Sequence, residues 1–266
     1  MTQADDTQRV VDEMFIPDHR VEVEPSPRRV RVVFGGETIA DSTQVLLLRE
    51  SGRLPVYYFP QGDVRMDLLE ATDHRLHSPH KGDAVYWTVR VGDRVAENVV
   101  WGYPDPAPGG PDLRGYVAFE WDKMDAWFEE DEEVYVHPRD PYKRVDALRS
   151  SRHVRVVVGG ETVADSRRPV LLFETGLPTR YYIPKNDVRM DLLVPSETRS
   201  QCPYKGRASY YSVKVGDRVF EDLVWYYPFP IPECPRIENL LCFFNEKVEA
   251  LYVDGELQPK PQTPWS

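Results

Sequence analysis

The segment "YYFPQGDVRMDLL" at residues 57–69 returns as "YYIPKNDVRMDLL" at residues 181–193. An offset of 124 residues, the step from Asp63 to Asp187, brings the chain into register with itself without a gap. Arg31 then meets Arg155, and Gly35-Gly36-Glu37-Thr38 meets Gly159-Gly160-Glu161-Thr162. Lys81-Gly82 meets Lys205-Gly206, Trp101 meets Trp225, Tyr103-Pro104 meets Tyr227-Pro228, and Phe119 meets Phe243. The match runs from about residue 28 to about residue 127, with nearly half of the positions identical. Units this long are domains rather than solenoid turns of about 20–50 residues. The fold must therefore be one that this pattern can build twice. Residues 1–27 read as a polar lead-in, 28–136 as the first domain and 137–151, "HPRDPYKRVDALRSS", as a connector. Residues 152–255 read as the second domain and 256–266 as a tail.

Strand signals dominate each unit. "VRVVFGGETIAD" and "VRVVVGGETVAD" are β-branched runs broken by Gly-Gly, which supplies the positive φ values of a tight hairpin. "YWTVRVGDRVAENVVW" and "YYSVKVGDRVFEDLVW" predict a second hairpin around Gly92-Asp93 and Gly216-Asp217. "YVAFEW" and "LLCFFN" predict a further buried strand. A short helix is expected at "DKMDAWFEED", where Met124, Trp127 and Phe128 share a helical face. The expected class is mainly β: two tandem compact domains with one short helix each.

Composition narrows the partners. Hydrophobic residues at 41% and charged residues at 29% of 266 positions describe a globular chain with cores to bury. The formal charge of −11 repels phosphate backbones, so nucleic acid is not an expected partner. Three cysteines, Cys202, Cys234 and Cys242, form no C-x-x-C pair, which fits a reducing cytoplasm. No signal peptide and no membrane-spanning apolar stretch is expected.

Each unit carries the same ordered motifs: P-x-x-D-V, then K-G-x-A-x-Y, then W-x-Y-P, then a buried strand ending in Phe. The second copy writes the middle motif as "CPYKGRASYY". This order resembles the domain-of-unknown-function 427 family, here in tandem. The resemblance implies a small β-rich unit related to the β-tent architecture and says little of function. A nucleotidyltransferase-like label attached to the family implies carboxylates holding Mg²⁺ and a phosphate-cradling loop. The chain has no G-x-x-x-x-G-K-[ST], and its Gly-Gly turns sit in hairpins. Related β-tent domains often carry paired C-x-x-C zinc knuckles, which this chain lacks.

Aromatic and basic residues supply the candidate site. Trp101 alternates with Tyr103, and Trp225 with Tyr227, so each pair faces one side of a strand. Such rings can stack on a planar ligand, cage a cation or fill a core. Lys81 and Lys205 enter strands that carry Tyr86 and Tyr210, and they could hold an anionic or carbonyl group. Arg65 and Arg189 would join them, with Asp63 and Asp187 orienting the cations. Alternatively, "DVRMDLL" is scaffold: a capped turn with local Asp–Arg pairing. The leading expectation is a small-molecule binding module with an aromatic and basic pocket in each repeat. A second reading is an enzyme using Asp187 and Lys205 in acid–base chemistry, with Cys202 as a candidate nucleophile. A third is an interaction module in which the two repeats pack as an intrachain pseudo-dimer. His74, His77 and His80 have a spacing that could ligate a metal, against the alternative of surface loop histidines. No cofactor is expected.

Overall fold

The computed structural model describes residues 19–266. These divide into two units between Asp140 and Pro141. Residues 1–18 of the expected lead-in lie outside the described residues.

The first unit contains β1 (Val21–Pro25), β2 (Val30–Phe34), β3 (Glu37–Ser42), β4 (Leu46–Glu50), β5 (Val56–Pro60), β6 (Leu69–Ser78), β7 (Gly82–Val91), β8 (Arg94–Gly102), β9 (Tyr116–Phe119), β10 (Ala126–Glu129) and β11 (Glu132–Val134). They form a seven-stranded sheet in the order β1-β4-β5-β9-β8-β7-β6 and a four-stranded sheet in the order β11-β10-β2-β3. The second unit repeats the plan with β12 (Val145–Arg149), β13 (Val154–Val158), β14 (Glu161–Ser166), β15 (Val170–Glu174), β16 (Arg180–Ile183), β17 (Leu193–Cys202), β18 (Gly206–Val215), β19 (Arg218–Tyr226), β20 (Leu241–Phe243), β21 (Ala250–Val253) and β22 (Glu256–Leu257). Its sheets run β12-β15-β16-β20-β19-β18-β17 and β14-β13-β21-β22. The chain is mainly β, as its period-two patterning requires: in β2, Val30, Val32 and Phe34 are buried while Arg31 and Val33 are only half-buried. Gly35 and Gly36, at φ 63° and 80°, close the β2–β3 hairpin.

The main core of each unit lies between its two sheets. In the first, Val32 and Phe34 of the small sheet meet Tyr57, Phe59, Val100 and Phe119 of the large one. The large sheet has a second apolar face, where Tyr58, Ala84, Tyr103, Leu113 and Ala118 form a smaller cluster. The β8–β9 connection contributes Tyr103 and Leu113 to that face and so creates an enclosed region outside the main core.

Three expectations are corrected. Residues 21–25 and 145–149, placed in the lead-in and connector, are edge strands paired to β4 and β15. Their sequences, "VEVEP" and "VDALR", had diverged too far to show the repeat. The helix expected over 122–131 is a three-residue 3-10 turn, Trp121–Lys123, followed by strand β10. Pairing of β10 with β2 and β11 satisfies its backbone groups and overrides the local helical pattern. Residues 256–266 are not simply a tail: β22 pairs with β21, and Thr263 donates a hydrogen bond to Glu246 at 2.7 Å. Among the described residues, helical structure is confined to three-residue 3-10 turns. Among the described residues no helix is long and apolar enough to cross a membrane.

Candidate ligand-binding site

"DVRMDLL" folds as two successive 3-10 turns in each unit, ending at Asp63 and Leu68 and at Asp187 and Leu192. Pro60 and Pro184, at φ −56° and −58°, precede the first turn and fix its entry. Val64, Met66 and Leu68 pack on the main core. Asp63 accepts a hydrogen bond from the buried Ser42 hydroxyl at 2.6 Å, and Asp187 from Ser166 at 2.7 Å. Asp187 also takes a two-pronged bond from Arg168 at 2.8 and 3.0 Å, which holds its carboxyl below the usual range. It lines a shallow polar depression with Asp165, Arg167 and Arg168. Arg65 and Arg189 lie in solvent and fork onto Asp67 and Asp191, two residues along. The expected ligand-facing set is thus a local scaffold. Its guanidiniums are neutralised by their neighbours, and its aspartates tie the turn to β3 or β14.

Tyr86, Trp101 and Tyr103 do gather. Tyr86 of β7 stands opposite Trp101 of β8, which stands opposite Ala118 of β9. Trp101 Nε1 donates to the Tyr58 hydroxyl at 3.0 Å, and the Tyr86 and Trp101 ring centroids are 6.5 Å apart. Lys81 does not present its charge to this face. It is only 7% exposed, and its ammonium bonds the buried carboxylate of Glu50, which His19 also reaches at 3.1 Å. Burial alone would raise the Glu50 carboxyl, but the Lys81 bond and charge outweigh it and hold it below its usual range. Lys205 repeats the arrangement with Glu174 at 2.5 Å. Burial opposes its charged form, while Cys202 and Glu174 favour it; the net shift is upward. A cation already paired in this way offers little to an anionic ligand.

The second unit closes its version of the same face. Trp225 is 8% exposed and donates to Tyr182 at 3.1 Å. Its ring lies 4.5 Å from Phe244, centroid to centroid, and 5.4 Å from the Arg180 guanidinium. Arg180 is clamped to Glu246 by bonds of 2.6 and 2.7 Å. Tyr227 is buried, and the Tyr210 hydroxyl lies 2.6 Å from that of Ser200.

The acid–base pairing of Asp187 with Lys205 is not formed, since their partners are Ser166 and Arg168 on one side and Glu174 on the other. Cys202 is half-buried beside Lys205, whereas burial pushes the Cys234 and Cys242 thiols up to about 11 and about 12. The three histidines go separate ways. His74 packs edge-on to Tyr86, His77 bonds Asp83 at 2.6 Å, and His80 stacks on His19 at 4.1 Å. Among the described residues no group of three or more His, Cys, Asp or Glu is arranged to hold a metal.

An apolar-walled cavity lies elsewhere in the first unit. About 300 Å³ opens between Gln61, Val85, Trp87, Gly102, Tyr103, Arg114 and Tyr116, among others. Of the expected residues only Tyr103 lines it. Val85 and Trp87 belong to the opposite face of β7 from Tyr86, because side chains alternate along a strand. Gly102 makes the space: a Cβ there would stand 2.7 Å from the Tyr116 carbonyl and 3.6 Å from the Trp87 ring. The wall is held by a bond from the Gln61 N–H to the Gly115 carbonyl at 2.8 Å. Arg114 at the rim forks onto Asp112. Identity between the repeats pointed away from this place. The signal that marks it is a difference, Gly102 against Tyr226.

No curated protein matches the chain. The family model described as "Domain of unknown function (DUF427)" matches residues 22–130 and again residues 146–254. Both matches begin inside the edge strands β1 and β12 and end just after β10 and β21, short only of the edge strands β11 and β22. The chain belongs to the DUF427 family and carries two copies of its domain.

Proposed function

We propose that the protein is a small-molecule binding module whose binding copy is the first domain. The observation that carries this reading is the cavity at Gly102. Three rings, Trp87, Tyr103 and Tyr116, give it apolar walls, and Gln61 and Arg114 are its polar lining residues. Few polar groups set among aromatic walls are the usual composition of a ligand site, and about 300 Å³ is the small end of the usual range. The reading differs from an aromatic and basic pocket in each repeat: Lys81, Lys205, Arg65 and Arg189 all serve intrachain pairs. Nucleotidyl transfer draws no support from Asp63 and Asp187, which are engaged by serine hydroxyls in the turn scaffold.

A fragment screen by ligand-observed NMR on the full chain tests this. Hits should compete with one another for a single site. They should vanish in Val85→Trp, which fills the cavity from β7 while leaving the turn scaffold untouched. A fragment set giving no hits, or hits indifferent to Val85→Trp, rejects the reading.

A further inference from the structure

We infer that the ligand of the first-domain cavity presents a flat ring with a polar edge, which stacks on Trp87 and is met by the side-chain amide of Gln61. This rests on the reading of that cavity as the binding site. The support is the second domain, which holds such a ring of its own. Tyr226 occupies the position of Gly102, Tyr211 that of Trp87, and Lys185 that of Gln61. The Tyr226 ring stacks on Tyr211 with centroids 5.1 Å apart and planes 23° apart, and the Lys185 ammonium lies 5.0 Å from its centre. The strands that carry these residues pair in the same register in both domains, Val85 with Gly102 and Ser209 with Tyr226. The second domain therefore shows an occupied form of the arrangement that the first leaves open. Its occupant is a flat ring against an aromatic face, with a polar group above it.

The surrounding loop has changed to match. In the first domain the Gly115 carbonyl accepts from the Gln61 N–H at 2.8 Å. In the second, the Asn239 N–H at the equivalent place donates to the Tyr227 carbonyl at 3.0 Å. The loop thus leans to different neighbours in the open and the filled copy. Gln61 replaces the cation of the second copy with a neutral amide that both donates and accepts. Among the described residues its side chain makes no hydrogen bond. A neutral amide suits a ring that carries its own adjacent donor and acceptor, as a cyclic amide does, better than it suits an anion. Offset stacking of rings adds to area burial, so flatness should be selected over bulk.

The test uses the full chain and four probes. p-Cresol is the Tyr226 side chain as a free molecule, and 4-methylcyclohexanol is its saturated counterpart. 2-Pyridone adds a cyclic amide to a flat ring, and toluene is a flat ring without one. p-Cresol should bind about tenfold more tightly than 4-methylcyclohexanol. Trp87→Leu should remove that preference and Trp87→Phe should keep it. 2-Pyridone should outbind toluene in the wild type but not in Gln61→Leu. Tyr226→Ala should open a second ring site and raise the p-cresol stoichiometry from one to two. Cooperative thermal melts confirm that each variant is folded. Equal binding of the saturated alcohol, abolished by Val85→Trp, overturns the flat-ring inference and leaves the cavity reading standing. No binding by any probe or by the wider fragment set overturns both. Unchanged stoichiometry in folded Tyr226→Ala counts against the second domain as the template.

Discussion

Lys81 is the residue that most repays attention to its partner. Sequence marks it as repeated, ahead of a glycine at the start of a strand, and so as a candidate ligand contact. Glu50, which neutralises it, lies 31 residues upstream; Glu174 repeats it at the same offset, but no motif joins either glutamate to its lysine. Nothing in the sequence near Lys81 announces that pairing, because it depends on β4 and β7 reaching the same face. Burying two charges costs desolvation that only the pair offsets, so removing one partner is worse than removing both. Lys81→Met should destabilise the first domain by about 3 kcal/mol, and the double change Lys81→Met with Glu50→Leu should recover most of that loss. Urea unfolding at neutral pH measures both. The acid limb follows from the carboxylates. Glu50 and Glu246 titrate below their ordinary value of 4.5, because Lys81 and Arg180 outweigh their burial. Their contribution to stability is complete above the unfolded-state pKa and is lost as pH falls through the lower folded-state value. Stability should hold from pH 7 to about 5 and fall steadily below about 4.5. A flat profile down to pH 3 would contradict the assignment.

At the scale of elements, the sequence made the hairpins plain and left the turns open. Gly35-Gly36 and the alternating Val30, Val32 and Phe34 carry their own reasons, namely positive φ and period-two burial. "DVRMDLL" supports a strand or a helical turn equally well on local grounds. The bridge from Val64 to Ala40 decides between them, and that contact lies on another strand. The same holds for Trp127 and Phe128, whose helical spacing yields to pairing with β2. The turn is therefore read as scaffold, with a measurable consequence. Asp63→Ala removes one hydrogen bond to the buried Ser42 hydroxyl and should cost about 1 kcal/mol of stability. It should leave probe binding in the Gly102 cavity unchanged. A loss of binding without a loss of stability would return the aspartate to the list of ligand contacts.

Across the whole chain, duplication supplies the fold and divergence separates the open cavity of the first domain from the ring-filled place in the second. Twofold repetition was legible from the first aligned segment, but which copy kept an open cavity was not, since that turns on single positions such as Gly102 and Tyr226. The outer face around the repeated tryptophans shows the same asymmetry. Trp101 is half-buried, while Trp225 is covered by Phe244 and by an Arg180 held between Trp225 and Trp265. Residues 258–266 take part in that cover through the Thr263 hydroxyl on Glu246 and the Trp265 ring 5.7 Å from the guanidinium. The second domain should therefore depend on this segment. Removing residues 258–266 deletes that charge-assisted hydrogen bond, that cation–π contact and the bond from the Gln258 N–H to the Leu251 carbonyl, together worth about 2–4 kcal/mol. Two domains need not unfold as one, so a single melting temperature is the wrong readout. Hydrogen exchange resolved by peptide separates them. Protection should fall in β16, which carries Arg180, and in β20, which pairs with β16 and with Trp225 of β19, while β5 and β9 of the first domain keep theirs. Loss spread evenly over both domains, or none in β16, would show that the segment does not stabilise that face.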